Sequence, residues 1–476
     1  MTNELRSFLA LSYDELEELN LKAKEQRKNR VASDKIREER LKYLTDEKRI
    51  KALTVLFSDL EGRLHMLDYD KKFLLKSYDN LTFDGSSIRG FTAQRESDLR
   101  LGIDWASFYW GPADVFGPGK VLVFGEVIDK DGTRYSGDIR GVLKDYADDL
   151  HKKKRYTLNA ANEIEGFLFQ GPDAERRYHE TGKFEYVNTG GYYHSLPGDP
   201  LRTFIDSTAE VQRAMGFQNE KDHPEVAPSQ FEINYGYGEV VAAADQIQLY
   251  KLICRQVANK MGLTASFLPK PVVGVNGSGM HTNVSISNNG SNLFWDPKGE
   301  ENLSKLGYEF LDRILTHGND LCLVFNSSVN AYRRLDPHFE APNQLKASPV
   351  DRGAMIRIPI GNERSMRTEV RAVAPDANPY LVMYSIFKTG LDGATAEIKN
   401  LRQAERYLPD NIYDALDNFR KAEWTSTLLG EDVKGRYADL KQASADRCPR
   451  MLGTFVKAQE VQFHHEVYNQ FLWNQF

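Results

Sequence analysis

A chain of 476 residues with 41% hydrophobic and 27% charged side chains sits near the globular average, has room for more than one folding unit, and sets aside disordered, collagen-like and coiled-coil classes. Its 62 basic against 68 acidic side chains give a net charge of -6, so it lacks the basic footprint that a nucleic-acid backbone requires. Cys254, Cys322 and Cys448 stand apart with no CxxC pair, and no signal-peptide core or membrane-length apolar run occurs, which together predict a reducing cytoplasmic setting and no membrane partner.

Residues 1–50 carry 12 Lys/Arg and 11 Asp/Glu without a glycine or proline. Ser12 followed by Glu15 has the spacing of a capping box, so this stretch predicts a charged helical extension that packs or assists assembly. From residue 51 the texture changes. LTVLFSDL, the turn Glu61-Gly62 and RLHMLDY alternate with a period of two and predict a half-buried hairpin. VLVFGEVID predicts another strand, closed by the turn Asp129-Lys130-Asp131-Gly132. A helix over GVLKDYADDLHKKK then places a domain boundary near 145, between a domain of 51–145 and a larger one of 146–476. Beyond it, ANEIEGFLF, QFEINYG, HTNVSIS, AMIRIPI and RTEVRAV read as strands, alternating with helical stretches such as AADQIQLYKLICRQVANKMG. The pattern predicts an α+β class, with the last hundred residues mostly helical.

No Walker A sequence and no GxGxxG fingerprint occurs, so any nucleotide would be held by another device. Glu163 and Glu165 fall two apart on a strand, which puts both carboxylates on one face. Two like charges need a counter-ion, and this segment alone divides evenly between a solvated strand edge and a metal site. Glu225 and Glu232 bracket a proline-containing turn, His281 follows a glycine-rich NGSG, and Glu369 shares a strand face with Arg371. A carboxylate-rich set with a single imidazole favours Mg²⁺ or Mn²⁺ over zinc or copper. Arg333, Arg334, Arg352, Arg357, Arg364, Arg367 and Arg371 crowd into one stretch, interleaved with Pro, Phe and Ile. That is the texture of a packed anion-binding wall, since the guanidinium fork matches carboxylate and phosphate.

Six segments in this order, FDGSSIRGF (83–91), EIEGFLF (163–169), HPEVAPSQFEI (223–233), NGSGMHTNVSI (276–286), NAYRRLDPHFEAPN (330–343) and RTEVRAVAPDANPYL (367–381), resemble type I glutamine synthetase. The resemblance covers roughly residues 51–476 and leaves only the extension outside it. It implies a β-grasp-like N-terminal domain and a larger catalytic domain, an antiparallel sheet with helices. It implies a homo-oligomer, a dodecamer of two stacked hexameric rings with active sites shared between subunits. The implied reaction uses ATP, L-glutamate and ammonium and passes through γ-glutamyl phosphate to L-glutamine. Carried over residue by residue, one divalent ion falls to Glu165, Glu225 and Glu232, the other to Glu163, His281 and Glu369. Asn276 and Gly277 with Arg334 and Arg371 would clamp glutamate. Glu220, His223, Ser285, Arg352, Arg357, Arg364 and Arg367 fall where the family holds ATP and its phosphates, with Arg352 acting in catalysis. Asp84, with Ser87, would come from the neighbouring subunit to bind ammonium and take its proton, and Tyr192 and Glu225 would line that pocket. Glu340 would sit on a flap that excludes water from the acyl phosphate. The resemblance leaves a γ-glutamyl-amine ligase, which takes a larger amine, as the alternative. One departure is regulatory: where some relatives carry Lys-Asn-Leu-Tyr with a modifiable tyrosine, this chain reads Lys399-Asn400-Leu401-Arg402, which predicts no adenylylation there.

Overall fold

The computed structural model describes residues 11–94, 97–335, 341–396, 398 and 400–451. The extension folds as two helices, α1 (Tyr13–Lys28) and α2 (Ser33–Asp46). The capping box forms: Glu15 N–H donates to Ser12 Oγ at 3.3 Å, and Ser12 N–H donates back to the Glu15 carboxylate at 2.8 Å. Leu16, Ile36 and Leu44 point inward onto Phe108 and Trp110, which is why a charge-rich sequence still docks.

Five strands form the first sheet: β1 (Ala52–Ser58), β2 (Leu64–Asp70), β3 (Leu81–Asp84), β4 (Asp98–Trp110) and β5 (Lys120–Ile128), in the order β2-β1-β5-β4-β3. The pair β1–β5 is parallel and the rest antiparallel. The hairpin expected at 51–70 is present, but β1 is not half-buried. Leu56 and Phe124 face the large core, while Val55, Phe57 and Val123 face a second core roofed by α1 and α2. A central strand covered on both faces reads as a continuous apolar run, and within the hairpin the alternation survives in edge strand β2. At the hairpin turn Gly62 has φ +89°, and a Cβ there would lie 2.5 Å from Asn378 Cα, so only glycine lets the turn seat against Asn378.

The extension also joins the two parts of the molecule. Asn20, fully buried, donates to the carbonyls of Trp110 (2.9 Å, β4) and Ala214 (2.8 Å) and accepts from Trp110 N–H at 3.0 Å. Arg27 reaches the buried Asp245 at 3.0 Å. Arg140 bridges that carboxylate to Asp104 on β4, at 2.7 Å to each, so every charge in the chain of contacts has a partner. Asn20→Ala would take the side-chain partner from a buried N–H and two buried carbonyls, for a loss of about 3 kcal/mol. Chemical denaturation monitored at the tryptophans checks this; an unchanged midpoint would mean that the extension contributes nothing to the fold.

Helix α3 (Ile139–Lys154) leads into the second sheet, so the expected boundary at 145 falls within a helix. The main strands are β6 (Tyr156–Gln170), β7 (Asn219–Pro224), β8 (Gln230–Tyr235), β9 (Leu263–Ser266), β10 (Met280–Asn288), β11 (Gln344–Ser348), β12 (Ala354–Arg357) and β13 (Thr368–Val370). Their order is β11-β12-β13-β10-β6-β8-β7, with β9 pairing the far end of β6. These pairs are antiparallel except for β11–β12, which runs parallel with a register shift. Helices α4 (Pro200–Ala214), α5 (Val240–Lys260) and α6 (Pro379–Asp392) contribute to the large core beneath the sheet, and α7 (Ile412–Lys421) and α8 (Glu423–Met451) close the C-terminal part. Among the described residues no helix is long and apolar enough to cross a membrane.

Candidate active site

Strand register assembles the site. On β6 the burial alternates, so Ile164 enters the core while Glu163 and Glu165 share the opposite face. His281 on β10 stands across from Glu163, and Glu232 on β8 across from Glu165. His223 on β7 faces Glu232, and Arg357 on β12 faces Glu369 on β13. A row of carboxylates and imidazoles thus runs across five neighbouring strands, with Arg357 on a sixth.

Two groups of ligand atoms emerge, Glu163, His281 and Glu369, and His223, Glu225 and Glu232, each with its atoms within 4.8 Å of one another. In the first, His281 Nδ1 lies 3.6 Å from Glu163 and 3.7 Å from Glu369. In the second, His223 lies 3.5 Å from Glu225 through Nδ1 and 3.6 Å from Glu232 through Nε2. Ligands about 2.1 Å from a Mg²⁺ ion in octahedral geometry stand about 3 Å apart when adjacent and about 4 Å when opposite, so both groups have the spacing of a cation site.

Electrostatics point the same way. Burial raises the Glu165 carboxyl well above its ordinary range, and the charges of Glu225 and Glu232 raise it further. Burial, then Glu163 and Glu225, pushes Glu232 up to about 8, and Glu225 is raised by burial as well. Carboxylates crowded against one another out of water repel, and a cation between them removes the conflict. Burial lowers both His281 and His223, which keeps the imidazoles in the neutral form that ligates metal. His223 Nε2 is buried with no hydrogen-bond partner. An orphaned ring nitrogen aimed at a carboxylate is what a missing ligand-to-metal bond leaves behind, and the donor set fits a hard divalent ion.

The resemblance grouped Glu165 with Glu225 and Glu232. Here His223 stands with that pair, and Glu165 lies beside it, 4.0 Å from His281 Nε2. Glu369 is 1% exposed and is held by Arg371 at 2.8 Å and Arg357 at 3.1 Å. Arg334 is buried and donates to the carbonyls of Arg371 and Ala372. Burial lowers its guanidinium to about 10, against the opposing pull of Glu165. Asn276 and Gly277 lie in the loop before β10, where a Cβ on Gly277 would meet Pro269 O at 2.5 Å. Ser285 is half-buried farther along β10, and Arg367 donates to Asn283 at 2.8 Å. Arg352, Arg364 and Glu220 are exposed, on the β11–β12 turn, the loop before β13 and strand β7. The Arg352 charge nonetheless reaches Glu225. Tyr192 is exposed, bonds through its hydroxyl to Tyr193 at 2.8 Å, and stands edge-to-face with His223, ring centroids 5.5 Å apart. Asp84 and Ser87 are bonded to each other, but at the outer edge of the first sheet and not among these carboxylates. Glu340 lies outside the described residues.

Sequence reasoning missed the amides. Asn283 donates to Glu163 at 3.1 Å, Asn234 donates to Glu232, and Gln230 reaches Glu165 at 3.4 Å. The signal was available, because each stands two residues from a ligand on the same strand face, in the positions that orient metal-binding groups.

The sequence profile described as "Glutamine synthetase, catalytic domain" matches residues 136–455. The chain is 36% identical over 424 residues to a glutamine synthetase of Clostridium saccharobutylicum, an alignment covering 85% of this chain and 94% of that protein. It belongs to the glutamine synthetase family. A glutamine synthetase of Staphylococcus aureus strain Mu50 is 34% identical over 431 residues, covering 86% and 94%. A solved structure described as a "GmaS/ADP complex" superposes with a TM-score of 0.76 at 25% identity, covering 89% of this chain and 99% of that one. The family assignment makes the chain a ligase of the α+β glutamine synthetase fold.

Proposed function

We propose that the protein ligates ammonia to L-glutamate at the expense of ATP, giving L-glutamine, ADP and phosphate. The observation that carries this reading is the pair of adjacent carboxylate–imidazole clusters backed by Arg334, Arg357 and Arg371. An array of that kind can bring a polyphosphate and an amino-acid carboxylate together while compensating the charge of both. Relatives named glutamine synthetase and a structural neighbour bound to ADP support it. Divalent ions held by the two clusters would neutralise charge that builds on the transferring phosphoryl group. The chain's own groups supply the rest. Arg334 and Arg371 hold glutamate so that a γ-carboxylate oxygen attacks the terminal phosphorus of ATP and ADP leaves. Arg352 and Arg357 stabilise the phosphates. Ammonia then attacks the acyl carbon of γ-glutamyl phosphate, phosphate departs, and Asp84 takes the proton that ammonium must lose. Asp84 would reach the site from the neighbouring subunit of a cytoplasmic ring assembly, for which the dodecamer is the proposed form.

The decisive experiment is ADP release by purified protein with Mg²⁺, ATP and L-glutamate, comparing ammonium with methylamine, ethanolamine and putrescine and quantifying glutamine. Stoichiometric glutamine with ammonium is expected. Turnover with a larger amine alone would replace the reading by a γ-glutamyl-amine ligase of the same fold.

Glu232 gives a pH dependence. With its carboxyl at about 8 it holds a proton at neutral pH that an entering cation must expel. Mn²⁺ affinity should therefore rise as pH increases towards 8, with at least about one proton released per ion at pH 7. Calorimetry in two buffers of different ionisation enthalpy measures the proton count, and binding without release would contradict the arrangement.

A further inference from the structure

Gln230 opens β8 at the meeting point of three functional segments and is 1% exposed. Its Oε1 accepts from Ala227 N–H at 3.1 Å, and its backbone carbonyl accepts from Glu225 N–H at 2.8 Å, so it fixes the turn that carries Glu225. Its Nε2 faces three acceptors, Gly277 O at 3.0 Å, Ser278 Oγ at 3.2 Å and Glu165 Oε2 at 3.4 Å. An amide nitrogen has two hydrogens, so the three compete. Glu165 Oε2 also accepts from Gly279 N–H at 2.8 Å, while Glu165 N–H donates to Gly279 O at 3.0 Å. The Glu165 carboxylate therefore touches the 276–279 loop at Gly279 directly and at Gly277 through Gln230. Its other oxygen is left facing the cluster, 4.0 Å from His281.

We propose that Gln230 is a positioning residue that couples cation binding at Glu165 to the set of the Asn276–Gly279 loop, and so to glutamate affinity; this rests on the reading that the loop holds glutamate. A cation that fixes Glu165 fixes how the shared amide hydrogens divide between the carboxylate and the loop. An ordinary buried glutamine would need only two acceptors. Here the longest and most easily shifted contact is the one to Glu165, which suits a relay between the two sites.

The test is Gln230→Met, which keeps the volume and removes both N–H donors along with the acceptor of the Ala227 N–H. Mn²⁺ affinity, read by electron paramagnetic resonance titration without turnover, should fall about ten- to a hundredfold, as for loss of a group that orients a ligand. In the wild type the glutamate KM should drop as Mn²⁺ is raised. In the variant it should be high and independent of Mn²⁺, with the ATP KM unchanged and the melting temperature somewhat lowered by the orphaned Ala227 N–H. Wild-type Mn²⁺ affinity in the variant, or a lowered melting temperature with unchanged constants, would overturn the coupling. If the variant fails to fold, Ser278→Ala is read in its place. It frees the amide for Glu165, so the glutamate KM should rise with Mn²⁺ affinity retained, and a loss of Mn²⁺ affinity or an unchanged KM would count against the coupling. Absence of glutamate-dependent ADP release by the wild type would sink the ligase reading itself, and the Mn²⁺ titrations would still decide whether Gln230 orients Glu165.

Discussion

Glu369→Gln is expected to lower Mn²⁺ affinity by more than about 100-fold, beyond the range for outlying partners, and ligase turnover by about 1000-fold. The carboxylate is shared. One oxygen meets Arg371 at 2.8 Å and stands 3.7 Å from His281 Nδ1, and the other meets Arg357 at 3.1 Å. Glutamine keeps the shape but removes the charge, and its amide nitrogen turns two hydrogens towards guanidinium donors or towards the cation position. Whichever way the amide lies, one buried contact becomes donor against donor. Arg371 is buried and its Nε has no hydrogen-bond partner, so it has little to fall back on. Breaking one side of a buried ion pair costs about 3 kcal/mol, so a lowered melting temperature should accompany the loss, and added Mn²⁺ should restore little of either. Metal titration and glutamine formation on assembled protein check this. Retention of a tenth of the turnover would show that Glu369 serves only to hold its arginines.

What the sequence disclosed and what it hid follow from the range of the interactions. Local rules were sufficient for the Ser12–Glu15 capping box, the Asp129–Gly132 turn and the shared face of Glu163 and Glu165, because each depends on a few neighbouring residues. The full burial of β1 was not legible, since it is caused by helices α1 and α2 laid across its second face, and nothing in LTVLFSDL states what will cover it. The placing of His223 beside Glu232 was hidden for a related reason. It depends on the register of β7 against β8, including the irregularity between Asn219 and Lys221, and a slip of one residue would turn His223 to the other face. Gln230, Asn234 and Asn283 carry no charge to attract notice, yet an amide can donate to a carboxylate without competing for its cation. Their spacing of two from Glu232 and His281 was the one local trace of that role. The extension reverses the lesson. Its composition predicted a helical segment that packs or assists assembly, and only the buried partners of Asn20 and Arg27 show that it joins the first sheet to helices α4 and α5.

Asp84→Ala is expected to reduce ammonium-dependent turnover by about 100- to 10,000-fold, the range for removing a general base, while ATP and glutamate still bind. The carboxylate is prepared to bind the cation. Hydrogen bonds from the Ser86 hydroxyl at 2.6 Å and the Ser87 hydroxyl at 2.5 Å, with the Ser86 N–H at 2.9 Å, hold it below the ordinary carboxylate range, so it is ionised at neutral pH and attractive to ammonium. It is exposed at the edge strand β3 of the first sheet, whereas Glu163, Glu369 and His281 lie on the second. That separation gives the strongest test of a shared site. Subunits carrying Asp84→Ala and subunits carrying Glu369→Gln, each inactive alone, are unfolded, mixed in equal amounts and reassembled. If a site takes Asp84 from one chain and Glu369 from the next, about a quarter of the sites receive both intact residues, and activity returns to about that fraction of wild type. If Asp84 serves the cluster of its own chain, every site lacks one residue or the other and nothing returns. Recovery without ammonium dependence would place Asp84 in assembly and not in proton transfer, because a general base is needed only once the amine has entered.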